Sequence, residues 1–489
     1  MTHEAHEYYH KKLLSFQDAA ARDIQRDLSN LANLVPEKTT IHMIGICGKG
    51  TATVAGLLKE KGFIISGSDD TFYPPMGAIV ESLGVKIFRS FDAANITGAD
   101  VVIVGNACTP THVEVLAAKE QGILQISMSE ALEYFFLQDK KNIVVAGTHG
   151  KTTLTGMISW LLEHAGLDPL YFIGGVIQGN TESHRFSRGA YAVLEGDEYD
   201  TAYFDKGPKF LHYKPWCGII TSCELDHSDI YSSFEDYKQA FIFLIKEINP
   251  TGFLIVHESV YTILKNECDE FTGTCIVYGQ SPAAPYHVSD FMFSETTSSA
   301  TITKPDGTDT LSIKLPGAYN LENALVAYIV GTQCCGIDHE TVKAHLATFP
   351  GMERRQQELF RNDKYLFLDD FAHHPTAIQT TINGLRTHVG TEKIIAVLEP
   401  RSNTMKMGVW KDFLADSLRE ADQVFCFTRD AQWAKTALTP LAEKADCFND
   451  MNQLVQAICG IAKSGDHILI MSNGGFGGIH EKILSVLKK

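Results

Sequence analysis

Short apolar runs alternate with stretches in which apolar residues recur every three or four positions, and this rhythm fills most of the chain. From residue 41, IHMIGIC reads as a buried strand, followed by a turn with Gly45 and Gly48 and a helix through Ala55, Leu57 and Leu58. FIISGSD, DVVIVGN at 100–106 and ILQIS at 123–127 read as further strands, with helical runs such as 112–121 between them. A second unit opens with NIVVAGTHGKTT at 142–153. Its strand over 143–146 leads into a helix in which Leu154, Ile158, Leu161, Leu162 and Ala165 form one apolar stripe. AYAVLEGDE, CGIITSCELDH, GFLIVH and CIVYG continue the strand series. Residues 286–315 alternate around a PDGTD turn and predict an antiparallel extension. PGAYNLENALVAYIVG predicts a loop entering a helix, with Leu321, Ala324, Leu325 and Tyr328 inward. A third unit starts near 350, with strands in KYLFLDDFAHHP, KIIAVLEP, QVFCF and HILIMSNGG.

Strand–helix alternation of this kind predicts parallel sheets covered by helices, an α/β fold. The 489 residues, at about 150 per domain, predict roughly three domains. The pattern divides the chain into an N-terminal extension at 1–39 and units at 40–141, 142–348 and 349–489. In the extension, Leu28, Leu31 and Leu34 suit one face of a short helix that Pro36 ends.

Composition narrows the partners. With 42 Lys and Arg against 59 Asp and Glu the net charge is −17, a field that repels nucleic acid and anionic membrane surfaces. No segment has 18 consecutive apolar residues, and the start, Met1-Thr2-His3-Glu4, lacks a signal-peptide pattern. Eleven cysteines without a C-x-x-C suit a reducing compartment, so a cytoplasmic protein with no membrane partner is expected.

The strongest chemical signal is Gly147-Thr148-His149-Gly150-Lys151-Thr152-Thr153. The strict eight-residue phosphate-loop pattern fails, because position 145 is Val, but a shorter form beginning at Gly147 is present. Its setting of strand, glycine turn and helix aims backbone N–H groups at phosphate oxygens. Lys151 would lie against the β- and γ-phosphates of ATP, with the Thr152 hydroxyl near Mg²⁺. Two acidic strand ends follow: Glu195-Gly196-Asp197-Glu198-Tyr199-Asp200 and Glu224-Leu225-Asp226-His227. Carboxylates so crowded repel one another unless a cation joins them. Asp369-Asp370-Phe371-Ala372-His373-His374-Pro375 closes a strand in the third unit. Zinc is a weaker reading there, since adjacent histidines do not easily share one tetrahedral ion. Arg401 after KIIAVLEP suits a carboxylate or phosphate. In the first unit, Gly45 and Gly48 with Asp69 resemble a nucleotide turn, without the dinucleotide fingerprint. These residues predict an enzyme using ATP and Mg²⁺; on them alone, ligase and kinase rank together, and a dehydrogenase lags.

The order of the motifs resembles the Mur ligase family over about 40–489. The matches are the loop at 147–153, Glu198 and His227, the N-x-x-N pair Asn320 and Asn323, Arg354-Arg355, and Asp369 to Pro375. The resemblance implies a Rossmann-like first domain, a P-loop ATPase-like central domain and a Rossmann-like third domain. LEPRSNTMKMG and MSNGGFGGIH resemble the branch that adds a preformed tripeptide, rather than L-alanine, to UDP-N-acetylmuramate in peptidoglycan recycling. It implies ATP and Mg²⁺, an acyl phosphate, and a monomer or weak homodimer. The nucleotide would be held by Gly147, Thr148, Gly150, Lys151, Thr152, Thr153, Asn320 and Asn323, and the metal by Thr152, Glu198 and His227. Lys151 and Arg355 would offset anionic repulsion, with Asp370 and His374 orienting the reacting groups. UDP would lie at Gly45, Gly48, Ser68 and Asp69, and the peptide at Arg401 and Asn403. Two positions depart from the family pattern: Ser222, where Asn is common, and Tyr319, where His is common, a ring still able to stack on adenine.

Overall fold

The structure is a computed structural model and describes residues 28–72, 76–226, 230–231, 233–294, 296–362, 365–401, 405, 410–428 and 431–487. The first sheet contains β1 (Thr40–Ile44), β2 (Ile64–Ser68), β3 (Lys86–Phe88), β4 (Val101–Val104) and β5 (Leu124–Ser127). All run parallel in the order β3-β2-β1-β4-β5. The order reverses between β1 and β4, and the crevice beyond such strand ends is where open α/β sheets take ligands. Gly45 (φ 75°) turns β1 into α1 (Lys49–Lys61), whose Val54, Ala55, Leu57 and Leu58 are fully buried.

The second sheet starts with β6 (Lys141–Ala146), β7 (Leu170–Phe172), β8 (His184–Arg185), β9 (Tyr191–Glu195) and β10 (Cys217–Ile220). It continues with β11 (Phe253–His257), β12 (Thr274–Gly279), β13 (Tyr286–Phe293), β14 (Ser298–Lys304) and β15 (Gly307–Ile313). The order is β15-β14-β13-β12-β11-β10-β6-β9-β7-β8. β13, β14 and β15 pair antiparallel, as their alternation predicts. The phosphate-loop helix α2 (Lys151–His164) and α3 (Ala318–Ile329) share one apolar cluster, where Leu154, Ile158, Leu161, Leu321, Ala324, Leu325 and Tyr328 are fully buried. Gly156 lets α2 approach closely: a Cβ there would lie 2.3 Å from Met352 Sδ.

The third sheet has β16 (Gln357–Arg361), β17 (Tyr365–Asp370), β18 (Ile394–Leu398), β19 (Gln423–Phe427), β20 (Ala445–Phe448) and β21 (Asp466–Met471). Its order is β16-β17-β21-β18-β19-β20, parallel except for β16. Asp370 leads through a short turn into α4 (Pro375–Val389). No helix among the described residues is long and apolar enough to cross a membrane.

The pattern did not predict β3, β7, β8, β16 or β20, which are short and take their pairing from neighbours. Near the N-terminus the expected helix is a 3-10 segment, Leu28–Asn33, with Leu31 buried. Pro36 opens a second one, Pro36–Lys38, because its fixed φ and missing N–H suit a first helical position. Residues 1–27 of the extension lie outside the described residues.

Leu325→Ala should destabilise the central unit by about 2–5 kcal/mol, because it opens a cavity between α3 and α2. Urea unfolding followed by tryptophan fluorescence checks this.

Candidate functional site

β6 ends at Ala146, and Gly147 (φ 126°) and Gly150 (φ 82°) turn the chain into α2. Space requires glycine as well: a Cβ on Gly147 would lie 2.3 Å from Thr221 Oγ1. The loop is braced from the end of β10. The Thr148 hydroxyl donates to the Glu224 carbonyl (2.9 Å), and the His149 N–H donates to Ser222 Oγ (2.9 Å). Ser222 thus does a loop-bracing job with its short hydroxyl. Asn323 reaches the same turn: a Cβ on Gly150 would lie 3.2 Å from its Oδ1. Asn323 Nδ2 donates to Asn320 Oδ1 (3.4 Å), and Asn320 Nδ2 donates to the Pro316 carbonyl (2.7 Å).

Behind the loop lies a concentration of buried charge. Lys151 Nζ donates to the Gly147 carbonyl (2.6 Å) and to Glu198 Oε2 (2.8 Å). Burial acts to lower the Lys151 pKa, but Glu198, Asp197 and Glu195 together hold it above its ordinary value. Glu198 Oε1 also accepts from the Tyr237 hydroxyl (2.9 Å). The Thr152 hydroxyl donates to Glu195 Oε1 (2.8 Å) and accepts from Arg355 Nη2 (3.1 Å). Burial, then neighbouring Asp197, push the Glu195 carboxyl up. Burial would raise Asp197 too, but Lys209 and Lys151 hold it below the ordinary range. Expected metal residues Thr152 and Glu198 are both in this cluster; His227 lies outside the described residues. Glu195, the carboxylate touching Thr152, was visible in the acidic run but not singled out there. Hydroxyl and carboxylate oxygens fit Mg²⁺, a hard cation that takes oxygen ligands.

The third unit supplies Arg355. Its neighbour Arg354 donates from Nε to Asp369 (3.1 Å) and from Nη2 to the Ser472 carbonyl (2.6 Å). Asp370 accepts from the N–H groups of Gln356 and Ala372 (both 2.7 Å), fixing the turn that presents Arg355. Burial pushes the Asp370 carboxyl up. His374 caps α4 by accepting the Thr376 N–H at Nδ1 (3.2 Å), which places the ring proton on Nε2. That Nε2 is buried without a hydrogen-bond partner among the described residues. The ring lies 4.8 Å from that of His149, and burial, then His149, push its pKa down to about 4. Glu224 joins them, accepting from Thr376 Oγ1 (2.7 Å) beside His149 Nε2 (3.2 Å). Burial would raise Glu224, but His149 and Thr376 hold it down to about 2.

The Tyr319 hydroxyl accepts from Gln356 Nε2 (2.9 Å), and its ring would lie 3.0 Å from a Cβ on Gly384 of α4. It packs the seam between α3 and α4. Strand alternation turns the fully buried Ser68 hydroxyl inward onto Glu114 (2.5 Å). Gly45 and Gly48 form the turn after β1, held by Asp69, which accepts the Cys47 N–H (2.9 Å). Arg401 lies along the backbone of Gly474, where a Cβ would be 2.0 Å from its Nη1, and Asn403 lies outside the described residues. Lys49 was overlooked. From the first turn of α1 it donates to the Gly174 carbonyl, beside the Gly174 N–H that Glu195 accepts (2.6 Å). A cation at a helix N-terminus opposes the helix dipole, and that was the available signal.

Three family profiles cover most of the chain: "Mur ligase family, catalytic domain" at 40–140, "Mur ligase middle domain" at 145–331 and "Mur ligase, glutamate ligase domain" at 352–474. The UDP-N-acetylmuramate–L-alanyl-gamma-D-glutamyl-meso-2,6-diaminoheptandioate ligase of Escherichia coli K12 is 37% identical over 462 residues, covering 92% of this chain and 98% of its own. A UDP-N-acetylmuramate–L-alanine ligase of Chlorobium phaeovibrioides is 29% identical over 444 residues, 89% of each chain. The crystal structure of a murein peptide ligase from Psychrobacter arcticus superposes with TM-score 0.68 at 31% identity, covering 92% of this chain and 98% of its own.

The His374 environment predicts a pH dependence. Its pKa in the fold, about 4, lies below the ordinary 6.5, so the fold keeps the stability of a neutral ring above pH 6.5 and loses it as pH falls towards 4. His374→Gln should remove this loss. Between pH 7 and pH 5 the parent should lose about 2 kcal/mol more than the variant, which urea midpoints at the two pH values would show.

Proposed function

Because this chain belongs to the Mur ligase family of ATP-dependent amide ligases that build peptidoglycan precursors, we propose that it joins UDP-N-acetylmuramate to L-alanyl-γ-D-glutamyl-meso-diaminopimelate in peptidoglycan recycling. In this reading residues 40–141 hold the UDP-sugar, 142–348 hold ATP and 349–489 hold the peptide, in a cytoplasmic monomer or weak homodimer. The observation that carries it is the 3.1 Å contact from Arg355 to Thr152, which brings a cation of the third unit onto the phosphate loop of the second. Higher identity to the tripeptide-adding relative than to the alanine-adding one supports the choice of amine (37% against 29%).

A carboxylate does not condense with an amine unaided. In the first step a lactyl carboxylate oxygen attacks the γ-phosphorus of ATP, and the bond to the ADP oxygen breaks, leaving an acyl phosphate. Two anions must meet, and Lys151 and Arg355 would offset their repulsion. Thr152, Glu195 and Glu198 would hold Mg²⁺, which neutralises phosphate charge when bound. Next the amine lone pair attacks the acyl carbon, and the tetrahedral centre collapses by breaking its bond to the phosphate oxygen, the departing phosphate carrying off the amine proton. His374 cannot take the amine proton at Nε2, which already carries one; it donates to a reacting oxygen instead. Asp370 acts through the turn it braces, positioning Arg355.

Protein supplied with ATP, Mg²⁺ and UDP-N-acetylmuramate, and either tripeptide or L-alanine, should yield the tripeptide adduct by mass spectrometry. An L-alanine adduct would overturn the choice of amine, and phosphate release without any adduct would overturn ligation. Arg401→Ala should raise the KM for tripeptide by about ten- to a hundredfold, through loss of a bidentate carboxylate grip, and leave the KM for ATP unchanged. A loss confined to ATP would assign Arg401 to the nucleotide.

A further inference from the structure

A second cluster of ligating groups lies away from the phosphate loop, on the seam between the first and second units. His184, in β8, lays its ring on α1, which only a glycine there permits: a Cβ on Gly56 would fall 2.5 Å from Nε2. The His184 side chain is 5% exposed, and its buried Nε2 has no hydrogen-bond partner among the described residues. Two carboxylates face that nitrogen without closing a hydrogen bond to it. Glu182 Oε2 is 3.5 Å away, and Glu60 Oε1, from the last turn of α1, is 3.9 Å away. The three donor atoms all lie within 4.8 Å of one another. Beside them opens a cavity of about 380 Å³, lined also by Asn180 and Arg185.

An imidazole nitrogen buried without a partner is costly, so its neighbourhood should contain what it binds. Metal bonds of about 2.0–2.2 Å in a tetrahedral arrangement place neighbouring ligand atoms about 3.3–3.6 Å apart. The His184–Glu182 spacing of 3.5 Å already has that length. Glu60, with 44% of its side chain exposed, needs only a small swing.

We propose that His184, Glu182 and Glu60 form a divalent-cation site of the zinc class that ties α1 of the first unit to β8 of the second. The imidazole selects against Mg²⁺ and Ca²⁺, which prefer all-oxygen shells. The cavity leaves the fourth position to water. The site is separate from the nucleotide cluster and does not depend on the ligase reading.

Calorimetric titration of the full chain with Zn²⁺ tests it, comparing the parent with Glu60→Gln, Glu182→Gln and His184→Gln. Both glutamates are exposed, so their variants keep the fold even where His184→Gln does not. One class of site should weaken at least about tenfold in each glutamate variant, while any other zinc binding stays as in the parent. Crystals grown with Zn²⁺ should show an anomalous peak between the three side chains. A smaller change in either glutamate variant, or no peak at this position, would overturn the proposal.

Discussion

Three carboxylates, Glu195, Asp197 and Glu198, crowd into four consecutive residues at the end of β9, with Glu195 and Glu198 buried and Asp197 half-buried. Removing such groups from water costs several kcal/mol each unless opposite charge or hydrogen bonds accompany them. Much of the site can be read as the answer to this constraint. Lys151 sits on Glu198 and Lys209 on Asp197, while Thr152 and the Gly174 N–H serve Glu195. The remaining cations come from elsewhere: Arg355 from the third unit and Lys49 from the first, both within reach of the Glu195 field. Charge compensation and the meeting of the three units are thus one event.

The seams show how side chains remote in sequence are drawn into that arrangement. Asp370 has both oxygens engaged by backbone N–H groups, and the turn it holds sets the direction of Arg355. Gln356, in the same turn, donates to Tyr319 and so joins α3 to α4. A change at Tyr319 would therefore reach the phosphate loop through Gln356 and Arg355 without touching a ligand.

The legible parts of the fold were those whose pattern is long or strictly periodic. The stripe of Leu321, Ala324, Leu325 and Tyr328 is fully buried because a helix repeats every 3.6 residues whatever lies beyond it. β8 has two residues and β3 three, too few for a period, and only their neighbours make them strands. The phosphate loop was legible because its chemistry lies in consecutive residues. The contact of Arg355 with Thr152 spans 203 positions and has no local trace. The inward turn of the Ser68 hydroxyl onto Glu114 depends on pleating that a glycine-containing strand displays poorly.

Among the described residues, the second sheet ends on one side at β15, whose far backbone edge pairs with no other strand of that sheet. Such an edge is a template on which another molecule could add a strand. Here β15 exposes Thr308, Thr310 and Ser312 rather than an apolar row. Asp309 is drawn aside into an ion pair with Lys343 (2.8 Å), which belongs to the helix His339–Leu346 running alongside. Neutralising that pair and placing valines along β15 would convert a guarded margin into an adhesive one, and the first symptom would be fibrous self-association at high concentration while the catalytic cluster remained intact.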